Sequence, residues 1–344
     1  MATQRELAKL AGVSAGTVSN VISGSTRVSE NARRKVLEAI QALNYRPNLI
    51  ARSLKTNRTN TLGIVVPDIT IPFFPKIVRG AESAARERGY FLVVLDSQGS
   101  HELEVDMMAL LRQRVDGILL VTAGDFKWSA ETVAEITAGP PVVCVDRLPA
   151  GLDTDSVCVD DFGAAELGIK HLLEQGHRNI AIMTGPLTLK NEQERLRGYK
   201  RALKDAGVPV QPSLIWSAGF EKDEIQSVCQ RELKSAKPRP SVIFATNGVT
   251  GIYALRSLYE MGLTTPESIA FATIDELIAE DLFQPRITTV VQPTYDIGYR
   301  AVEVLLQRIA LNGNGSATSS SKVRLPASLI ARDSSQLLKS KAAR

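Results

Sequence analysis

The stretch Glu6-Leu7-Ala8-Lys9-Leu10-Ala11-Gly12-Val13-Ser14-Ala15-Gly16-Thr17-Val18-Ser19-Asn20-Val21-Ile22 reads as a helix, a tight turn and a second helix. Just upstream, Thr3-Gln4-Arg5-Glu6 is a capping box, in which the Thr3 hydroxyl and the Glu6 carboxylate each satisfy a backbone N–H at the helix start. Leu7, Leu10 and Ala11 mark one apolar face of the first helix. Gly12 stands where the turn needs positive φ, Val13 plugs the core beneath it, and the small Ala8 lets the helices cross closely. Ser14 can cap the second helix, whose buried side is Val18, Val21 and Ile22. Helix-turn-helix spacing of this kind lays the second helix in the major groove of DNA while the first crosses the phosphates.

Working outward, Ser29 caps a third helix, with Glu30 at its positive end and Val36, Leu37, Ile40 and Leu43 as its apolar stripe. After Pro47 a short amphipathic piece, 48–55, precedes a polar linker at 56–60. Through residue 58 the chain holds ten Lys/Arg against Glu6, Glu30 and Glu38, a net charge of +7; the rest carries 31 basic and 34 acidic side chains, a net of −3. A basic head on a mildly acidic body points to a polyanion as partner of the head alone. By charge alone, a solvated basic helical surface reads the same way.

From Thr61 the pattern changes to strand–helix alternation. Short apolar β-rich runs at 62–66, 90–95, 117–121 and 142–145 are separated by helical stretches near 75–88, 101–114 and 129–137. The alternation resumes with a helix over 162–175 and strands at 179–183, 214–217, 242–245 and 269–274. This predicts two doubly wound α/β units in series, whose ligands bind at the carboxyl ends of the strands, in a cleft between units. Residues 312–321 read as a flexible polar loop, and the tail holds no heptad repeat long enough for a coiled coil.

Composition narrows the class. With 344 residues, 44% hydrophobic and 23% charged, the chain is expected to be a soluble protein of two or three domains. No run of eighteen apolar residues and no N-terminal apolar segment is present, so neither a membrane span nor a secretory signal is expected. Cys144, Cys158 and Cys229 sit far apart in apolar runs, as reduced core side chains do, and the cytoplasm fits. There is no Gly-x-Ser-x-Gly elbow, Walker loop or His-Glu-x-x-His, and Gly313-Asn314-Gly315 lies in the late loop rather than between a strand and a helix. His101, His171 and His177 lack metal-site spacing, and His177 at a helix end reads as a partner of the helix dipole. No enzyme activity, cofactor or metal is expected.

Ala11-Gly12-Val13-Ser14, Thr17-Val18-Ser19, Val28-Ser29, Asn44-Tyr45 and Pro47-Asn48 together resemble the lac/galactose repressor family (LacI/GalR type) of bacterial transcriptional regulators, and the resemblance runs over essentially the whole chain. It implies an all-α helix-turn-helix head with a hinge helix, followed by an α/β body like that of periplasmic binding proteins, with two parallel-sheet subdomains. The expected boundaries are 1–47 for the head, 48–60 for hinge and linker, 61–333 for the body and 334–344 for a tail. Within the body, the first subdomain is expected over about 61–160 and 292–322 and the second over about 161–291 and 323–333. The resemblance places Ala15, Gly16 and Asn20 at base edges. Ala15 suits a thymine methyl and Asn20 an adenine, but Gly16 has no side chain to read with, so direct readout should be sparse. Ser14, Thr17 and Ser19 would hold phosphates, although plain capping explains Ser14 equally well. Asn48-Leu49-Ile50-Ala51-Arg52-Ser53-Leu54 resembles the hinge helix, too short to be stable alone. Paired across a homodimer on a near-palindromic operator, it would bring Asn48, Ala51, Leu54 and Lys55 to DNA, with Leu54 a minor-groove wedge; the alternative is Leu54 packed under the body.

For the body, the resemblance implies effector contacts from eight residues. Asp68, Phe73 and Phe74 lie in Pro67-Asp68-Ile69-Thr70-Ile71-Pro72-Phe73-Phe74, where Ile71 replaces the family's Asn. Asp146 ends a strand, and Arg195 opens Arg195-Leu196-Arg197-Gly198-Tyr199. The others are Phe220, Asn247 (whose usual Asp neighbour is Gly248 here) and Asp275, preceded by Ile274 rather than an aromatic. Asp146, Arg195 and Asp275 together favour a sugar or sugar derivative, because a guanidinium fork suits paired hydroxyls. Lys190 offers a charge to an acid or phosphate group, and a purine-like ligand is the second choice. On residue type alone, Phe73 and Phe74 also fit a core, and Asp146 and Asp275 also fit helix caps. The implied function is a sequence-specific DNA-binding regulator, a repressor whose operator affinity is set allosterically by this effector. The competing reading is a sugar-binding or enzymatic α/β protein whose head does not bind DNA.

Overall fold

The computed structural model describes residues 2–22, 27–45, 58–124, 126–149, 151–277, 280–312 and 319–338. The chain forms two compact units, 1–59 and 60–344.

Three helices build the first unit: α1 (Gln4–Ala11), α2 (Ala15–Ile22) and α3 (Glu30–Ala42). The capping box forms, with Glu6 N–H donating to Thr3 Oγ1 at 3.3 Å and Thr3 N–H to Glu6 Oε2 at 2.7 Å, and Gly12 closes α1 in the left-handed region at φ 63°. Leu7, Ala8, Ala11, Val18, Val21, Val36 and Ala39 make the core. Leu10, Leu37 and Leu43, expected in that core, are exposed instead. Three short helices bury only a narrow stripe each, and residues flanking the stripe face solvent.

In the second unit the strands and helices alternate as expected. The chain runs β1 (Thr61–Val66), α4 (Phe73–Glu87), β2 (Phe91–Asp96), α5 (His101–Arg112), β3 (Gly117–Leu120), α6 (Ala130–Thr137) and β4 (Val142–Val145). There follow β5 (Asp155–Val159), α7 (Asp161–Glu174), β6 (Ile180–Thr184), α8 (Lys190–Asp205), β7 (Ile215–Ser217), α9 (Lys222–Ser235) and β8 (Val242–Ala245). The last elements are α10 (Gly248–Glu260), β9 (Ala270–Ile274), β10 (Thr288–Val291), α11 (Thr294–Asn312), β11 (Lys322–Leu325) and β12 (Ser328–Ile330). Two six-stranded sheets result, ordered β11-β5-β4-β3-β1-β2 and β12-β10-β9-β8-β6-β7. Every pairing is parallel except β10 with β12. The central strands are apolar and buried on both faces apart from the half-buried Thr61 that opens β1, as helix-covered parallel strands must be.

The chain passes between the sheets three times, after β5, after β10 and after β11. Strands β5, β10, β11 and β12 are absent from the sequence reading, because Asp155-Ser156, Thr288-Thr289 and Lys322-Val323-Arg324 break the apolar run that marks a buried strand. The last crossing also corrects a boundary: β11 pairs with β5 through Leu325, so the first subdomain keeps the chain three residues past 322. Beyond 333 the chain stays anchored, since Ser334 and Ser335 are buried and bond Thr288 at 2.8 and 2.7 Å. His177 belongs to that anchor. It is buried, bonds Ser241 Oγ at 2.8 Å and Ser335 O at 3.1 Å, and burial lowers its pKa, so it is a neutral tie rather than a charged partner of the helix dipole. Residues 313–318 of the expected polar loop lie outside the described residues.

Two helix pairs set the spacing of the layers. A Cβ on Gly80 of α4 would stand 2.0 Å from Tyr295 O of α11, and one on Gly198 of α8 would stand 2.3 Å from Phe162 O of α7. Gly80→Ala and Gly198→Ala should each lower stability by about 1–3 kcal/mol, read as the urea midpoint of the purified chain. An unchanged midpoint in either variant would show that the helices separate without cost.

Candidate functional site

On the head, Ser14 is exposed just ahead of α2, Ala15, Gly16 and Asn20 are exposed on it, and Thr17 and Ser19 are half-buried. Ser14 Oγ accepts from Thr17 N–H at 3.1 Å, so this hydroxyl does cap the helix. Arg5, Lys9, Arg27, Arg34 and Lys35 are exposed cations of the same unit. A Cβ on Gly16 would meet nothing closer than Ser14 Oγ at 3.7 Å, an ordinary contact, so the fold itself does not demand glycine there. Asn48, Ala51, Leu54 and Lys55 lie outside the described residues.

In the body, the carboxyl ends of the two sheets face one crevice. Asp146 and Asp275 follow the fourth strand of each sheet, β4 and β9, at corresponding positions. Each has left-handed backbone, φ 64° and 72°, and donates its N–H to the next strand, to Val157 O and Val290 O, both at 3.0 Å. A left-handed Asp costs about 1 kcal/mol. Asp146 is buried and Asp275 half-buried, and desolvation of each carboxyl raises both pKa values. Asp275 accepts from Gln292 Nε2 at 2.7 Å and from Gly248 N–H at 3.3 Å. It therefore also serves the start of α10, as a helix-cap reading of this residue expects. A Cβ on Gly248 would stand 3.3 Å from Asp275 Cβ, which crowds the larger Asp found there in the family. Asp146 Oδ1 and Gln292 Oε1 are buried acceptors with no hydrogen-bond partner among the described residues.

Arg195 is 3% exposed. Its Nη2 lies 2.7 Å from Asp161 Oδ1, and its Nη1 donates to Glu192 Oε1 at 3.2 Å and to Thr246 O at 2.8 Å. Glu192 in turn accepts from Gly185 N–H, Thr246 Oγ1 and Asn247 Nδ2 at 3.1, 2.5 and 2.9 Å. Burial pushes Asp161 up to about 7 even with the guanidinium beside it, and the surrounding carboxylates raise Arg195. Asp161 and Glu192 are absent from the sequence reading. Glu192 was detectable as an i,i+3 partner of Arg195 on one helix face, whereas Asp161 lies 34 residues away.

The remaining expected residues divide. Phe73 borders a small recess with Lys76, Asp275, Glu276 and Gln292. Phe74 is 2% exposed, packed edge-on against Phe73 with ring centres 5.3 Å apart, and belongs to the core rather than the crevice wall. Asp68 spends one oxygen on its own turn, accepting from Thr70 N–H at 2.8 Å and Thr70 Oγ1 at 2.6 Å. Phe220 and the Asn247 amide meet over Gly185, where a Cβ would stand 2.9 and 3.2 Å from them. Asp146 borders a larger cavity of about 260 Å³, together with Arg147, Asp161, Lys190 and Arg324. Lys76 Nζ reaches Glu276 Oε2 across the crevice at 2.7 Å. Among the described residues no group of His, Cys, Asp or Glu could hold a metal ion, and no helix is long and apolar enough to cross a membrane.

Residues 3–48 match the model for bacterial regulatory proteins of the lacI family, and residues 59–333 match that for periplasmic binding proteins and the sugar-binding domain of the LacI family. The chain is 35% identical to the ribose operon repressor of Escherichia coli (strain K12) over 90% of this chain and 93% of that protein. It is also 35% identical to the HTH-type transcriptional repressor PurR of Aliivibrio fischeri (strain MJ11), over 90% and 92%. Among solved structures it is similar to a transcriptional regulator CelR–cellobiose complex (31% identity, TM-score 0.71, covering 97% of this chain and 100% of that one). It is likewise similar to the lac repressor dimer bound to operator and the anti-inducer ONPF (25%, TM-score 0.81, 97% and 99%). With an exposed second helix of a helix-turn-helix in one unit and a partly unsatisfied crevice in the other, this chain belongs to the LacI family of bacterial transcriptional regulators.

Proposed function

We propose that the chain is a homodimeric repressor that reads a near-palindromic operator through α2 and is controlled by a small hydroxylated molecule in the body crevice. The observation that carries the effector half is the pair of buried acceptors, Asp146 Oδ1 and Gln292 Oε1, which call for a ligand that donates hydrogen bonds. Relatives whose names specify ribose and cellobiose agree with such a ligand. Asp146, Arg195, Asn247 and Asp275 are the polar groups of this reading and Phe73 and Phe220 its apolar walls, with Asp68 and Phe74 supporting the β1–α4 turn behind them. Arg195 holds the crevice carboxylates in place rather than offering a free fork.

On the DNA side, Ala15, Gly16 and Asn20 face base edges, and Ser14, Thr17 and Ser19 face the backbone. The hinge residues Asn48, Ala51, Leu54 and Lys55 complete the contact in the dimer. The edge strand β2 presents Phe91, Val93 and Val94 to solvent, a surface that suits a second copy of the chain. We place head, hinge and body at the boundaries given above, with the body extended to 335. We assign the protein no catalytic role, in keeping with its repressor relatives, and place it in the cytoplasm with its DNA.

Selection of duplexes from a randomised pool, followed by titration at several salt concentrations, tests the DNA reading. Affinity should fall by orders of magnitude between 50 and 200 mM salt, and a chain indifferent to every duplex at low salt would refute it. Gly16→Ala separates folding from recognition. A methyl fits within the head and raises helix propensity, so the head should gain up to about 1 kcal/mol. The selected operator should nevertheless bind on the order of tenfold more weakly, because the methyl intrudes on the groove at an overpacking cost of about 1–3 kcal/mol. Equal affinity would remove Gly16 from the contact. In the body, Arg195→Ala strands two buried carboxylates and should lower stability by about 3–5 kcal/mol, with Asp161→Asn in the same chain restoring part of the loss. A urea midpoint insensitive to Arg195→Ala would contradict this account of the cluster.

A further inference from the structure

The cavity of about 260 Å³ beside Asp146 is walled by both subdomains, and its charges do not cancel locally. Asp161 is held by Arg195 at 2.7 Å, Glu194 by Arg197 at 2.6 Å, Asp146 by Arg147 at 3.4 Å and Lys322 by Asp153 at 2.9 Å. That leaves Lys190 and Arg324. Both line the cavity, neither makes an ion pair among the described residues, and one comes from each side, Lys190 from α8 and Arg324 from β11. Two like charges across a crevice repel each other on closure; an anion between them turns that repulsion into a bridge.

The wall carries two more signals. Lys190 is the first residue of the 16-residue helix α8, whose N-cap Leu189 supplies no side-chain hydrogen bond. Leu189, Lys190 and Asn191 all line the cavity, so the positive end of that helix opens on the same space as the two cations. On the other side, Asp146 is 4% exposed and its Oδ1 lacks a partner, an acceptor awaiting a hydroxyl. The volume lies just under the range of about 300–1,000 Å³ usual for ligand pockets, which suits a monosaccharide derivative better than a disaccharide.

We propose that this cavity takes the anionic group of the effector, a phosphate or carboxylate on a hydroxylated skeleton of monosaccharide size, clasped by Lys190 and Arg324 from opposite subdomains while Asp146 accepts from a hydroxyl. The assignment rests on the reading of the body as a binder of hydroxylated ligands, and it narrows that class to sugar phosphates or sugar acids.

The test is calorimetric titration of the full chain with ribose, ribose 5-phosphate, glucose, glucose 6-phosphate, gluconate and inorganic phosphate. At least one ester or acid should bind tenfold or more tightly than its neutral parent, with affinity falling as ionic strength rises. Lys190→Gln and Arg324→Gln should each weaken that ligand about tenfold, the usual worth of a charge-assisted hydrogen bond, with little change for a neutral sugar. Phosphate winning over carboxylate, or the reverse, identifies the anion. Inorganic phosphate binding as tightly as the esters would reduce the cavity to an ion site and overturn the proposal. Neutral sugars binding as well as their charged counterparts, or both variants keeping affinity within twofold, would overturn it while leaving the hydroxylated-ligand reading intact. Silence of every charged probe would overturn it too, and the response to ribose and glucose then judges the broader reading separately.

Discussion

One guanidinium organises the crevice. Arg195, buried on α8, is the cation around which Asp161 at the start of α7, Glu192 one turn upstream and the Thr246 carbonyl after β8 are gathered. Removing such groups from water costs several kcal/mol per ion, returned only if nearly every donor and acceptor is matched. Here the Arg195 nitrogens reach two carboxylates and a carbonyl, and Glu192 passes the tie on to Gly185, Thr246 and Asn247. Three separate elements of the second subdomain are thereby locked at the carboxyl edge of its sheet, where a ligand would land. Burial out of water is the main reason Asp146, Asp161 and Asp275 all titrate above the ordinary aspartate value; neighbouring carboxylates add to the rise and Arg195 opposes it. The unpartnered Asp146 Oδ1 and Gln292 Oε1 favour ligands that bring donors to these two points.

The crevice has two matching halves because the sheets repeat one plan. Read from the edge inward, β2-β1-β3-β4-β5 corresponds to β7-β6-β8-β9-β10. Asp146 after β4 and Asp275 after β9 are counterparts in backbone as well as in chemistry. Positive φ at a residue with a Cβ is uncommon, and Asp is among the few that tolerate it. The strain is small, and each sheet closes its fourth strand with the same kinked aspartate.

Local signals in the sequence were legible and distant ones were not. The capping box at Thr3, the cap at Ser29 and the turn at Gly12 are satisfied within a few residues, so the head could be read directly. Leu10, Leu37 and Leu43 could not, because periodicity shows which side chains are able to face inward but not whether a neighbour covers them. In the body, Val142–Val145 and Val242–Ala245 announce themselves as apolar runs, whereas β5 and β11 mix charge with apolar residues because each is defined by its partner strand. Candidate residues followed the same rule. Asp146, Asp275 and Arg195 could be named from motifs. Whether Arg195 would be free or bound up with Asp161, and whether Phe74 would face the crevice or the core, depends on packing between segments far apart in the chain.

How the body could change state follows from what spans the crevice. The ion pair of Lys76 with Glu276 crosses it, but both side chains are partly exposed, and pairs of this kind contribute between about 0 and 1 kcal/mol. The unpartnered Asp146 Oδ1 and Gln292 Oε1 add nothing until they are matched. This ion pair therefore adds little to one arrangement over another, and a ligand that matches those acceptors weighs more in the balance. A ligand shifts that balance only by the difference in its affinity for the two states. Two buried acceptors satisfied in one arrangement and not in the other would each contribute about 1 kcal/mol, which is the scale of coupling, about 1–3 kcal/mol, that allosteric proteins commonly show. The same groups that make the crevice incomplete are those able to make it responsive.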